Sequence, residues 1–125
     1  MSKGYSIEFR EDHLLVVLAP DYKVNAENRK AFWKHLHDAC LEFDTRRVLV
    51  EGEIPREDRE TDDVIDAGKS TAAVPHLWLA FSIPDWEPTP LAALFKTMAK
   101  ISGVRVKFFP DSEKALNWLR MNGPK

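Results

Sequence analysis

The sequence predicts an α/β domain in which an N-terminal β-hairpin leads into a mostly parallel five-stranded sheet flanked by four helices, in the order β-β-α-β-α-β-α-β-α. Three observations carry this expectation. Short apolar runs rich in β-branched and aromatic residues recur at 14–19, 47–51, 77–83 and 104–109. Longer stretches with apolar residues at helical spacing separate the later runs, and strands alternating with helices imply parallel pairing with helices on both faces. The 125 residues contain no linker, repeat or low-complexity tract, so residues 1–125 form one domain, of a size that buries roughly two-thirds of the surface its unfolded chain exposes.

The elements follow in order. Residues 6–10 alternate in polarity, and Glu11, Asp12 and His13 form the tight turn to a second strand that reads as buried on both faces. Phe32, Leu36, Ala39, Cys40 and Phe43 mark the apolar stripe of a helix over 26–43, with Asn25 as its cap. After the strand at 47–51, an acidic stretch leads into a helix that starts near Thr61 and ends at Pro75. In the strand at 77–83, alternation sends Trp78, Ala80 and Ser82 to one side of the sheet and Leu79, Phe81 and Ile83 to the other. Thr89 caps the next helix and Pro90 takes its first position, where a missing N–H costs nothing; Leu91, Leu94, Phe95, Met98 and Ile101 are its buried face. Gly103 ends it in a left-handed conformation. Asp111 caps the final helix, which carries Ala115, Leu116, Trp118 and Leu119.

Composition excludes several classes. A net charge of −2 with mixed charges is neither the basic footprint of a nucleic-acid binder nor a disordered acidic tail. Cys40 is the single cysteine, so an intrachain disulfide and a thiolate-rich zinc site are both excluded. The N-terminal residues lack the apolar core of a secretory signal, and no apolar run approaches the roughly 20 residues of a membrane helix. These features point to a cytoplasmic protein, with peripheral association at a membrane surface left open.

The segment Gly103-Val104-Arg105-Val106-Lys107-Phe108-Phe109-Pro110-Asp111, continuing to Ala115, Trp118 and Leu119, resembles the ending of SpoIIAA-like proteins of the STAS superfamily. Those chains finish with a glycine, a strand ending in phenylalanine, an acidic cap, and an alanine followed three residues on by Trp-Leu. The resemblance extends to Val48-Leu49-Val50-Glu51-Gly52 and to the element order; it departs where the family often has Asn-Arg before the glycine and this chain has Ile101-Ser102. It implies a STAS-type fold, similar to that of CRAL-TRIO lipid carriers, and little about chemistry. The plainer account of the same residues is a glycine cap, a short strand and the buried side of a closing helix.

Several candidate sites fail on their own chemistry. Gly68-Lys69-Ser70 matches the end of a phosphate-binding loop, but the first glycine is replaced by Asp63, and Asp62, Asp63 and Asp66 would repel a triphosphate. His35 and His37 point to different faces of one helix, and His37 with Cys40 offers only two ligands, so no metal site is expected. Cys40 lies in the apolar stripe and reads as a structural thiol. The family's antagonists carry a phosphorylatable serine in an Asp-Ser-x-Gly turn, which this chain lacks; Thr61, better explained as a helix cap, and then Ser70 are the nearest substitutes. The acidic segment from Glu51 to Asp66 holds eight acids against Arg56 and Arg59. It reads as a solvated face or as a docking surface for a basic protein partner.

Trp86 stands apart, because it lies in the loop beyond a buried strand, at the carboxyl end of the sheet where α/β folds bind ligands. The same end presents Tyr22, Ile54 and Pro84, with Leu91 and Phe95 from the following helix, a mostly apolar set with few titratable groups. The expected function is therefore a noncatalytic STAS-like module, without cofactor, that binds a small nonpolar ligand, a membrane surface or a protein partner there. The alternative is a phosphorylation-controlled antagonist of the anti-sigma-factor-antagonist type. An enzyme is the third reading, and it requires His13 or His76 within hydrogen-bond reach of Glu51 or Glu53.

Overall fold

The computed structural model describes residues 5–18, 26–52, 69, 74, 76–83 and 90–122. Five strands, β1 (Tyr5–Arg10), β2 (His13–Leu18), β3 (Arg47–Glu51), β4 (Trp78–Ser82) and β5 (Arg105–Phe109), form one sheet in sequence order. The three described helices are α1 (Ala26–Phe43), α2 (Pro90–Ile101) and α3 (Ser112–Asn122). The sheet is mixed: β1 and β2 pair antiparallel, while β2–β3, β3–β4 and β4–β5 pair parallel. The fourth expected helix, from Thr61 to Pro75, lies outside the described residues, apart from a helical, exposed Lys69 and a buried Val74.

Period-two alternation divides the core between the two faces. On one face Leu14, Val16, Val48, Val50, Leu79, Phe81 and Val106 pack against Trp33, Leu36, Ala39 and Cys40 of α1 and Ala99 of α2. On the other, Leu49 and Ala80 pack against Ala115 and Leu119 of α3, flanked by Trp78, Phe109 and Trp118. Trp78, Ala80 and Ser82 thus face α3 while Leu79, Phe81 and Ile83 face the larger core, as alternation predicts.

Several local expectations change. β2 buries Leu14 and Val16 on the α1 face; on the other face, beyond the buried His13, Leu15 is half-buried and Val17 exposed, because α3 lies over β3 to β5. In α1 the buried stripe runs through Trp33 instead of Phe43. Phe43, at the helix end, is 40% exposed and stacks on Phe9 of β1, itself 37% exposed, at 4.7 Å. In α2 Ile101 is exposed and the small Ala99 is fully buried in the core. His13 opens β2 instead of forming the turn, which consists of Glu11 and Asp12, and it is buried.

The helix ends show how local chemistry sets these boundaries. At the end of α2 the Val104 N–H donates to Ala99 O at 2.9 Å and the Gly103 N–H to Lys100 O at 3.0 Å, with Gly103 at φ +87°, which is a Schellman motif. α1 ends with the corresponding outer bond, Thr45 N–H to Cys40 O at 3.1 Å, but its left-handed residue is Asp44 at φ +49°. A side chain there carries strain that glycine would not. Asp44→Gly is accordingly expected to raise stability by about 0.5–1 kcal/mol, relief of strain outweighing the added freedom of the unfolded chain. Urea unfolding checks this.

Candidate functional site

The carboxyl ends of β3, β4 and β5 carry two different surfaces. On the α1–α2 face, Phe81 of β4 and Phe108 of β5 are register partners one residue short of the strand ends, and their rings stack at 5.0 Å. Phe95 of α2 closes on both, edge-on to Phe81 at 6.0 Å and tilted to Phe108 at 6.4 Å. Phe81 is buried, whereas Phe95 and Phe108, with Leu94 and Met98 of the same helix, are half-buried. The apolar face of α2 is therefore incompletely covered at this end of the sheet.

On the α3 face the ends of β3 and β4 are polar. Glu51 and Ser82 are register partners at the last positions of β3 and β4, and Ser112 opens α3 directly above them. The Ser112 hydroxyl donates to Glu51 Oε2 and lies 3.0 Å from Ser82 Oγ. Asp111, as expected, caps α3, accepting the Lys114 N–H at 2.8 Å. This row ties α3 to the sheet and uses the hydrogen-bonding capacity of a buried serine hydroxyl that would otherwise be costly to desolvate.

At the opposite end of the sheet a second polar group converges on Asp12. Its Oδ1 accepts from His13 Nδ1 at 2.9 Å, and its Oδ2 lies 3.3 Å from Arg47 Nη1 and 3.1 Å from Arg120 Nε. A carboxylate only accepts, so His13 carries its proton on Nδ1. The Thr45 hydroxyl donates to the Asp12 carbonyl at 3.3 Å. Burial alone would raise the Asp12 carboxyl, but the bonds from His13 and Arg120 and the charge of Arg120 outweigh it and hold the group below its usual range. The histidine–glutamate pairing that an enzyme reading requires is not formed at Glu51: His13 bonds Asp12 at the other end of the sheet, and Glu51 bonds Ser112. Glu53 lies outside the described residues, and His76 is exposed in a turn with φ +63°.

Of the ligand-binding residues expected from sequence, Phe95 is placed in the aromatic cluster at the carboxyl end. Leu91 lies in α2 with its side chain undescribed, and Tyr22, Ile54, Pro84 and Trp86 lie outside the described residues. So do Thr61 and Ser70, and all of the acidic segment from Glu51 to Asp66 except Glu51 and Gly52. Sequence reasoning missed Phe108, Ser82 and Ser112 as members of these end surfaces; parallel register with period-two facing would have grouped Glu51 with Ser82. Burial pushes the Cys40 thiol up to about 11, Arg46 offsetting part of the effect, so the sulfur is protonated at neutral pH.

Among the described residues no three His, Cys, Asp or Glu side chains converge on a metal-sized site, and no helix is long and apolar enough to cross a membrane. No family model, curated protein or solved structure matches this chain.

Proposed function

We propose that this chain is a noncatalytic STAS-like binding module that takes a small nonpolar ligand at the carboxyl end of its sheet. The observation that carries the reading is the half-buried pair of Phe95 and Phe108 against the buried Phe81, with Leu94 and Met98 of α2 also half-buried. Covering such residues is favourable by about 25 cal/mol per Å² of apolar surface, and incomplete cover at a strand-end crevice suits an apolar guest. Trp86, Tyr22, Ile54, Pro84 and Leu91 supply the rest of the wall in this proposal, which also rests on the resemblance of the C-terminal segment to SpoIIAA-like proteins.

The test is native mass spectrometry and solvent extraction of the purified protein, with wild type compared to Phe95→Ala and Trp86→Ala. A nonpolar molecule is expected to accompany the wild type and to fall about tenfold in occupancy in each variant, the loss expected for one large side chain in an apolar pocket. Anilinonaphthalene sulfonate fluorescence, with circular dichroism as a check on folding, reads the same cluster when the natural ligand has been lost. A parallel liposome pull-down separates a membrane surface from a pocket. Liposome binding that depends on Trp86 without a co-purifying molecule replaces the pocket with a membrane contact. The absence of ligand, probe and liposome binding overturns the reading in favour of a protein partner.

A further inference from the structure

The two edges of the sheet are built differently. β5 places Arg105 and Lys107 on its α3 face, over the Trp78 and Phe109 rings at 5.5 Å each. The register that pairs the whole of β5 with a second β5 puts Lys107 on the two-fold axis, and the one centred on Val106 sets Arg105 against Lys107, which blunts that edge. β1 carries the opposite device. Its exposed Glu8 and Arg10 lie on one face two residues apart, joined at 3.1 Å, with a net charge of zero. On its other face Phe9 and Phe43 form the exposed ring stack.

Backbone phase then limits how a second β1 could pair. In the two-residue hairpin Arg10 and His13 are the closing pair, so the backbone groups of Arg10 and Glu8 turn towards β2 and those of Phe9 and Ile7 turn outward. Among the described residues no strand pairs with this outer side. An antiparallel partner must therefore match odd positions with odd positions. Centring on Ile7 leaves Arg10 without a charged partner, and centring on Glu8 opposes two glutamates. Centring on Phe9 places Phe9 against the partner's Phe9 and sets Glu8 opposite Arg10 twice.

The geometry points to a homodimer formed by antiparallel β1–β1 pairing about Phe9, which joins two five-stranded sheets edge to edge. The four Glu8 and Arg10 side chains form a ring of alternating charge on one face, and the rings of Phe9 and Phe43 from both copies pack together on the other. The association is isologous and closed, so it stops at two copies.

Analytical ultracentrifugation of the full chain over a wide concentration range tests this, with circular dichroism confirming that each variant is folded. Glu8→Arg and Arg10→Glu each oppose like charges across the axis twice, and each is expected to weaken dimerisation about tenfold or more. The Glu8→Arg/Arg10→Glu double variant restores opposite charges and returns the dissociation constant close to the native value. Added salt weakens the native dimer, since the charges are exposed, and amide exchange at Phe9 slows as dimer accumulates. A monomer at every concentration overturns the inference. A dimer indifferent to the single reversals, or one that the double variant does not rescue, overturns it equally.

Discussion

A Gly52→Ala chain is expected to unfold with about 3 kcal/mol less stability than the native protein, a large fraction of what a domain of this size possesses. Two independent costs meet at this position. Gly52 has φ +131°, well beyond the roughly +50 to +70° that an L residue can reach in the left-handed basin. It also follows β3 where that strand runs beside the end of β2, and a Cβ there would lie 2.7 Å from the Leu18 carbonyl oxygen and 3.0 Å from its Cβ. The first obstacle is backbone, so no side-chain rotation relieves it. Gly103 separates the two costs. Its φ of +87° is also positive, but a Cβ added there meets nothing within 4 Å, so Gly103→Ala should cost only the conformational part, about 1–2 kcal/mol. Equal losses at the two glycines in urea unfolding would show that the Leu18 approach contributes nothing. Because Gly52 follows Glu51 directly, its replacement is also expected to disturb the Glu51–Ser112 bond that ties α3 to the sheet.

What could be read in the sequence follows from which interactions leave a periodic mark. The two faces of β4 were legible because alternation separates Leu79 and Phe81 from Ala80 and Trp78 whatever the partners are. The end of α2 was legible because a glycine after an amphipathic run has a single common backbone use. Phe43 was misread because helical spacing identifies a stripe without saying where the sheet beneath it stops; at the β1 edge the stripe overhangs and Phe43 stacks on the exposed Phe9. His13 was misread because a histidine after two acids looks like a turn, whereas it opens β2 opposite Arg10 and is buried there. The candidate site divides in the same manner: Phe95 was legible from its helix, while its partners Phe81 and Phe108 become neighbours only through parallel register. The Asp12 group is the extreme case. Its members Asp12 and Arg120 are separated by 108 positions, and ion pairs have no sequence period.

That group yields the second large effect. Asp12→Asn keeps the size of the side chain and removes its charge, so it tests the electrostatics with little change in packing. The partner that suffers is Arg47, whose side chain is only 14% exposed and whose Nε has no hydrogen-bond acceptor among the described residues. Losing the anion leaves a mostly buried guanidinium uncompensated; a fully buried pair broken in this way costs about 3–5 kcal/mol, and the one-third exposure of Asp12 lowers the expected loss to about 2 kcal/mol. Arg120 is 44% exposed and can turn to water, so Arg120→Ala should cost under about 1 kcal/mol. The pH dependence gives the sharper check. The folded carboxyl titrates below its unfolded value of about 3.9. Its contribution is therefore complete above that pH and declines as pH falls through the lower, folded value. The native protein and Asp12→Asn should differ fully at neutral pH and converge in stability as the pH drops below about 4. A difference that stays constant through that window would mean that the substitution acts through packing, and that Asp12 does not serve as the anion joining the hairpin turn, β3 and the end of α3.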